Sequence, residues 1–388
     1  MKIVNSTFDL LVILFITSLI FVYPVKVLTG MALYPIFLIL TLIAGFSLFI
    51  FEKNKMSKQS MQTIFFILFG CSVLIFLSLC QESQDIRVIL LSIFYFVFIP
   101  ALFFFISKKI SSSGYKILVN TIIVSSIICG IFGLLQYVFK FTFIPAPVGI
   151  SLSEKYFRPI SFFSSTQQFA VFMLFAFCLS IINNKSKKIS VTVFLLGSLS
   201  LSMAFFFGSI FFVFCYLLKT KPLKLIFLVL FTPLFIFFLN IFSTVFNELN
   251  DVRFLQPLLF SETVSESNEA NTERVGIWLN SIELVENPVY GVDLSLSNPY
   301  VTGSPLITES YFLSLYVNGG LLLVLLSTVT TLFLSYQSRS IYSLLITLVY
   351  LSVGLFVHVL YALSIIWVFV FMCRSDRCEN FSNIGNHR

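Results

Sequence analysis

The sequence predicts an all-α, polytopic integral membrane protein with about twelve transmembrane helices and one large extracytoplasmic loop. Three observations carry that expectation. Of 388 residues, 58% are hydrophobic and only 11% charged, against roughly 25% charged in soluble domains, which excludes a soluble globule. The apolar residues fall in successive runs of about the 20 residues that a bilayer crossing needs. The basic residues gather in short clusters between alternate runs, and basic clusters mark the cytoplasmic side.

In chain order, the first apolar run is Phe8–Tyr23. Pro24 and Lys26 follow it, with no small-residue cleavage site, so it reads as a retained first helix. Further spans are expected at Met31–Phe51, Gln62–Cys80, Val88–Ser107, Ile117–Phe139, Gln168–Ile182, Leu225–Val245 and Tyr311–Tyr336. Two runs, Ile189–Leu218 and Ile341–Cys373, are too long for one crossing and short for two. Basic residues bracket each of them, so each is expected to leave and return on one side as a hairpin of two short helices. Halves of about 15 residues rise only some 22 Å, less than a hydrocarbon core of roughly 30 Å.

The clusters are Lys53/Lys55/Lys58, Lys108/Lys109/Lys116, Lys185/Lys187/Lys188, Lys219/Lys221/Lys224 and Arg374/Arg377. Placing them inside puts both termini in the cytoplasm and leaves 17 of the 24 Lys and Arg on that side. The outside holds the other 7, against 13 of the 17 acidic residues. The net charge of +7 is therefore a topological signal and gives no reason to expect a nucleic-acid partner. The expected organisation is an N-terminal membrane bundle over 1–245 with an outward loop at 140–165, a large outer loop at 246–310, C-terminal membrane helices over 311–373 and a cytoplasmic tail at 374–388.

Candidate chemistry is sparse within the membrane. Asp9 lies near the cytoplasmic end of the first helix, where it reads as an interfacial residue, and His358 lies near the outer apex of the last hairpin. So few ionisable residues disfavour a transporter driven by intramembrane proton carriers. The seven cysteines sit in or beside apolar runs with no CxxC pair, as packing residues do. Neither a Walker A pattern nor HExxH occurs, and no outward loop carries DxD, so no metal or cofactor is expected.

The outward loops carry more. The large loop has ten acidic residues and only two basic ones, Arg253 and Arg274. Within it Glu273–Glu286 reads as an amphipathic helix, capped by Asn271 or Thr272, with Val275, Trp278, Ile282 and Val285 on one face and Asn287-Pro288 ending it. Arg274 then lies one turn from Trp278, beside amides pointing out of the helix N-terminus, a site suited to an anion.

The strings Arg274-Val275-Gly276-Ile277-Trp278, Asn287-Pro288-Val289-Tyr290-Gly291-Val292, Glu309-Ser310-Tyr311-Phe312-Leu313 and Gly319-Gly320-Leu321-Leu322 together resemble the O-antigen polymerase and O-antigen ligase superfamily. Arg158-Pro159-Ile160-Ser161-Phe162-Phe163 is similar to the arginine-containing segment of an earlier outward loop in that family. The resemblance implies a GT-C-like membrane glycosyltransferase of the cytoplasmic membrane. Its reaction would be metal-independent transfer of glycan from an undecaprenyl-pyrophosphate-linked oligosaccharide, with membrane lipid, a flippase and a chain-length regulator as partners. It also implies that Arg158 and Arg274 hold the departing pyrophosphate and that Glu309 is the general base, with Asp293 next in line. Arg253, Trp278, Tyr290 and His358 are further candidates for substrate binding. Two departures are visible: Glu309-Ser310 stands where ligases carry His-Asn, and Ser202-Met203-Ala204 stands where many members carry Ser-Arg. The first favours a polymerase of O-antigen or capsule over a ligase. A lipid-linked oligosaccharide flippase, the reading from another class, would line its cavity with charges and would not need the loop.

Overall fold

The computed structural model describes residues 2–51, 58–81, 86–141, 159–163, 165–200, 202–220, 276–294, 310–337 and 340–354. Among them every regular element is helical and there is no strand. In chain order the helices are α1 (Lys2–Ile20), α2 (Val22–Thr29), α3 (Tyr34–Phe51), α4 (Lys58–Cys80), α5 (Ile86–Ile93), α6 (Ile99–Lys109), α7 (Ser112–Phe139), α8 (Thr166–Ile182), α9 (Lys187–Ser198) and α10 (Met203–Thr220). They are followed by α11 (276–283), α12 (Tyr311–Gln337) and α13 (Ile341–Gly354). Every expected span on described residues is thus helical. Leu225–Val245 and the return half of the last hairpin lie outside the described residues.

Among the described residues, three stretches are long and apolar enough to cross a membrane: Ile86–Lys109, Ser112–Phe139 and Tyr311–Gln337. The first is continuous because α5 and α6 join through a π-helical turn at Phe94–Phe98, where the Ile99 amide bonds to the Phe94 carbonyl five residues back. Pro100 follows directly, and the wider turn accommodates a residue that has no amide to donate and crowds the preceding turn.

The packing is that of a bundle with an apolar exterior. α8 is buried nearly all round, with Phe169–Leu179 almost wholly inaccessible, and it packs against α7, α9, α10 and α13. A helix apolar on every face belongs in the middle of a bundle. Large apolar side chains on surrounding helices face outwards instead, among them Phe65 (72% exposed), Leu79 (74%) and Ile210 (67%). Soluble monomers rarely expose such patches. Buried hydroxyls bond to their own helices: Ser126 donates to the Ile123 carbonyl and Thr331 to the Ser327 carbonyl, which satisfies them without water. Close helix approach is visible at Gly208, where a Cβ would come 2.9 Å from the Val353 side chain.

The expected hairpin over Ile189–Leu218 is present as α9 and α10, with non-helical residues at 199–200 and 202 between them. Lys187 at the start of α9 and Tyr216 near the end of α10 line the same recess, so the pair leaves and returns at one end of the bundle. That end also holds Asp9 with Ser111, Lys185 with Asn120, and Tyr216 stacked on Tyr342.

Two local departures from the expected spans have clear causes. The first run stops at Ile20 and resumes as α2, which ends at Gly30 in the left-handed region. The run expected as one span over Tyr311–Tyr336 is broken at Gly319 (φ −141°, ψ 18°) and Gly320 (φ 61°, ψ −160°).

Candidate functional site

At the break in α12 the Asn287–Val292 turn meets the Gly319–Leu322 segment. Only about 12 Å of helix, Tyr311–Asn318, precedes it. Breaking a helix frees backbone groups that need partners. Here the turn after α11 supplies them: the Leu321 amide donates to the Pro288 carbonyl (2.9 Å), Leu322 to Val289 (3.1 Å), and Val292 to Val317 (2.8 Å). The turn is shaped locally by Asn287, whose side-chain oxygen accepts from the Val289 amide (2.9 Å) and whose carbonyl accepts from Gly291 (2.9 Å). Asn-Pro-x-x-Gly is suited to this, since Asn folds back on its own backbone and Gly291 takes φ +69°.

Contact between turn and break is backbone to backbone, and glycine permits it. A Cβ on Gly291 would lie 2.6 Å from the Gly320 nitrogen and 2.7 Å from the Val317 oxygen. A Cβ on Gly320 would lie 2.6 Å from the Tyr290 nitrogen and closer still to the Val289 carbonyl. Gln81, at the end of α4, locks the joint. Its amide nitrogen donates to both the Tyr290 and Asn318 carbonyls, and its oxygen accepts from the Leu294 amide at 3.1 Å. One uncharged side chain therefore ties α4, the turn and the broken helix together, with both its donors and its acceptor used.

Tyr290 and Asp293 are held in this turn, both half-buried. Trp278 lies on α11, and its indole N–H is buried with no acceptor among the described residues. A buried donor of that kind awaits an oxygen. The described part of this helix ends at 283, three residues before the expected Glu286, where the Val285 amide bonds to the Ile282 carbonyl three residues back. The inward stripe is Trp278, Ser281 (2% exposed) and Val285. Ile282 is turned out at 47% exposed, because the stripe centres on Ser281, one residue away and about 100° around the helix. Beyond the break, Ser310 donates to the Gly354 carbonyl (3.4 Å), and Tyr311 pairs its hydroxyl with Ser327 and packs against Tyr350. The start of α12 is thereby fixed against α13.

The described part of the segment expected as the other outward loop, 159–163, is also built in. Pro159–Phe163 forms a buried turn beside the end of α7, with Ser161 in the left-handed region at φ +53° and wholly inaccessible. Three bonds hold it there: its amide donates to the Gln136 side-chain oxygen (2.7 Å), its carbonyl accepts from the Gln136 amide (3.2 Å), and its hydroxyl donates to the Cys129 carbonyl (2.6 Å). Phe162 stacks on Phe132 with centroids 4.1 Å apart, and Phe163 packs on Phe169 and Phe172. Ser165 then caps α8 by accepting from the Gln168 amide.

Of the residues singled out from the sequence, Arg158, Arg253, Arg274, Glu309 and His358 lie outside the described residues. Trp278, Tyr290 and Asp293 are on them. The structure adds Gln81 and Gln136 as groups that shape this end, and shows that Gly319-Gly320, already singled out in the sequence, breaks the helix. The available signals were an uncharged polar side chain in the last turn of an apolar run and two adjacent glycines inside one. Asp9 is more than interfacial. It is 8% exposed and accepts from the Ser111 amide (3.1 Å) and hydroxyl, at the N-terminus of α7 that Ser111 itself caps. A carboxylate there is favoured by the helix dipole.

No protein-family model, no curated protein and no solved structure matches this chain.

Proposed function

We propose that this chain is a membrane glycosyltransferase: a polysaccharide polymerase that moves glycan from undecaprenyl pyrophosphate onto a lipid-linked repeat at the outer face of the cytoplasmic membrane. In this reading the chain crosses twelve times, both termini are cytoplasmic, and residues 246–310 face outwards. The observation that supports it most is the docking of the Asn287–Val292 turn into the Gly319–Gly320 break, since both strings belong to the resemblance and lie far apart in a linear reading. Membrane helices that are broken, with irregular backbone enclosed by protein, are a recurrent way to build a site at the edge of the bilayer. The reading is supported by where the polar contacts among the described residues fall: the pairs Asp9–Ser111 and Lys185–Asn120 lie towards one end, and Gln81 with Tyr290 and Asn318 at the other.

In the proposed reaction an acceptor hydroxyl attacks the anomeric carbon, its proton passes to a carboxylate, and the bond from that carbon to the pyrophosphate oxygen breaks. The electron pair leaves with undecaprenyl pyrophosphate. Glu309 takes the proton, with Asp293 as the alternative, and Arg158 and Arg274 receive the charge that develops on the leaving group. Trp278 offers its buried N–H to a sugar or phosphate oxygen. Arg158 directly precedes the turn pinned by Gln136, and Glu309 directly precedes the anchored Ser310 and Tyr311, so two rigid supports flank the proposed groups. Arg253, Tyr290 and His358 complete the proposed binding set.

The test uses purified protein, reconstituted with undecaprenyl-pyrophosphate-linked repeats and assayed in chelator. A ladder of lengthening lipid-linked products is expected. Transfer of glycan only to a non-repeat acceptor makes the protein a ligase, and movement of intact substrate between leaflets makes it a flippase.

A further inference from the structure

The end of the bundle opposite the broken helix carries an open recess of about 660 Å³ between α8, α9 and α10. Its rim is polar and basic, formed by Asn184, Lys185, Lys187 and Ser190. Its interior is apolar, with Phe177, Phe194 and Tyr216 as the large side chains, and among the described residues no carboxylate lines it.

The rim is held in place by the link between two helices. The Asn184 and Lys185 amides bond back to the Ile181 and Ser180 carbonyls, Asn184 takes a left-handed φ of +49°, and Ser186 caps α9. Lys185 is braced across the bundle by donating to the Asn120 side-chain oxygen at 2.6 Å. Lys187 occupies the first turn of α9 and is exposed. A cation in a first turn opposes the helix dipole, so an anion placed there is attracted by both the lysine and the helix terminus. Behind the rim, the buried Ser180 hydroxyl donates to that of Ser190 at 2.9 Å and ties α8 to α9.

We propose that this recess binds one anionic phospholipid, its phosphate between Lys185 and Lys187 and an acyl chain over Phe177, Phe194 and Tyr216. A soluble phosphate would use the rim and leave the apolar interior unfilled. A zwitterionic lipid would bring a second cation to a rim that has two and no carboxylate. The basic clusters at this end place it in the cytoplasmic leaflet, where anionic lipids attract basic segments. The inference is independent of what the other end transfers.

The experiment takes the full chain in neutral detergent and measures lipid retained through native mass spectrometry, with thermal shift as a second readout. The additions are phosphatidylglycerol, phosphatidylcholine, or inorganic phosphate alone. Phosphatidylglycerol is expected to be retained several-fold over phosphatidylcholine. The Lys185→Gln/Lys187→Gln variant should lower its retention by about fivefold per lysine, the factor matching about 1 kcal/mol per basic residue at a membrane surface. A Lys109→Gln/Lys116→Gln variant, equal in charge loss at the same end but outside the recess, should retain it normally. Equal loss in that control, equal retention of the two lipids, or the full thermal shift from inorganic phosphate alone would each overturn the proposal.

Discussion

Replacing Gly320 by alanine tests whether the turn and the broken helix form one joint. At φ 61° and ψ −160° Gly320 occupies a region that is essentially closed to residues with a Cβ, at a cost of about 1–3 kcal/mol. The new methyl also meets Tyr290 N at 2.6 Å. Backbone cannot swing aside as a side chain can, so the turn must withdraw. Withdrawal breaks the bonds from Leu321 to Pro288, Leu322 to Val289 and Val292 to Val317. At about 1 kcal/mol net each, with the strain added, the docked arrangement is disfavoured by roughly 4–6 kcal/mol. Gly276→Ala on α11 is the matched control, because a Cβ there meets nothing within 4 Å and alanine favours a helix by up to about 1 kcal/mol. The assay is labelling of a cysteine placed at Tyr290 by a membrane-impermeant maleimide, beside immunoblot abundance and surface polymer length. Gly320→Ala should raise labelling and abolish polymer while Gly276→Ala changes neither. Wild-type labelling and polymer from Gly320→Ala would refute the joint.

Gln81→Glu keeps the acceptor for the Leu294 amide but turns an oxygen on the Tyr290 and Asn318 carbonyls, so it should loosen the same turn and cost at least the roughly 1–3 kcal/mol of buried groups left unpaired, read as increased Tyr290→Cys labelling. Ser161→Val places a β-branched residue at φ +53° and removes the Cys129 bond; it should lower the melting temperature of the purified protein clearly more than Ser161→Gly, which relieves the backbone while losing the same bond. Asp9→Ala should cost about 1 kcal/mol as a lost cap while Asp9→Asn keeps most of it, measured as thermal stability in detergent. For the proposed chemistry, Glu309→Gln should cut polymer formation by about 10²–10⁴, and Arg158→Lys and Arg274→Lys should be defective at normal abundance because a point charge does not replace a bidentate fork; full-length polymer from both lysine variants removes the arginines from the site.

The helical bundle was legible because lipid leaves the backbone few options and apolar runs are hard to mistake. Basic brackets around Ile189–Leu218 gave the α9–α10 hairpin correctly, since charge decides which end a chain returns to. The break in α12 was not legible as a break. Apolar residues continue through Gly319-Gly320, and nothing in hydropathy reports a backbone that stops bonding to itself. Gln81 and Gln136 were passed over for a related reason: their partners are main-chain groups of segments up to 237 residues away, which no local pattern encodes. Asp9 was recognised as exceptional, but its partner Ser111 lies in a basic loop that looked like a connector. The inward face of α11 differs from the expected one at Ile282, because the buried stripe centres on Ser281, about 100° around the helix. The Asn287–Val292 and Gly319–Leu322 strings are visible in the sequence as strings, and their contact with each other comes from the structure.

The central claim, that this chain polymerises lipid-linked glycan, is tested most directly by a gel of surface glycan from a strain lacking the protein, with and without the gene restored. The account predicts that the ladder collapses to single repeat units on deletion and returns on restoration. Full-length chains stranded on lipid carrier, or unpolymerised lipid-linked repeats retained on the inner leaflet, would contradict it.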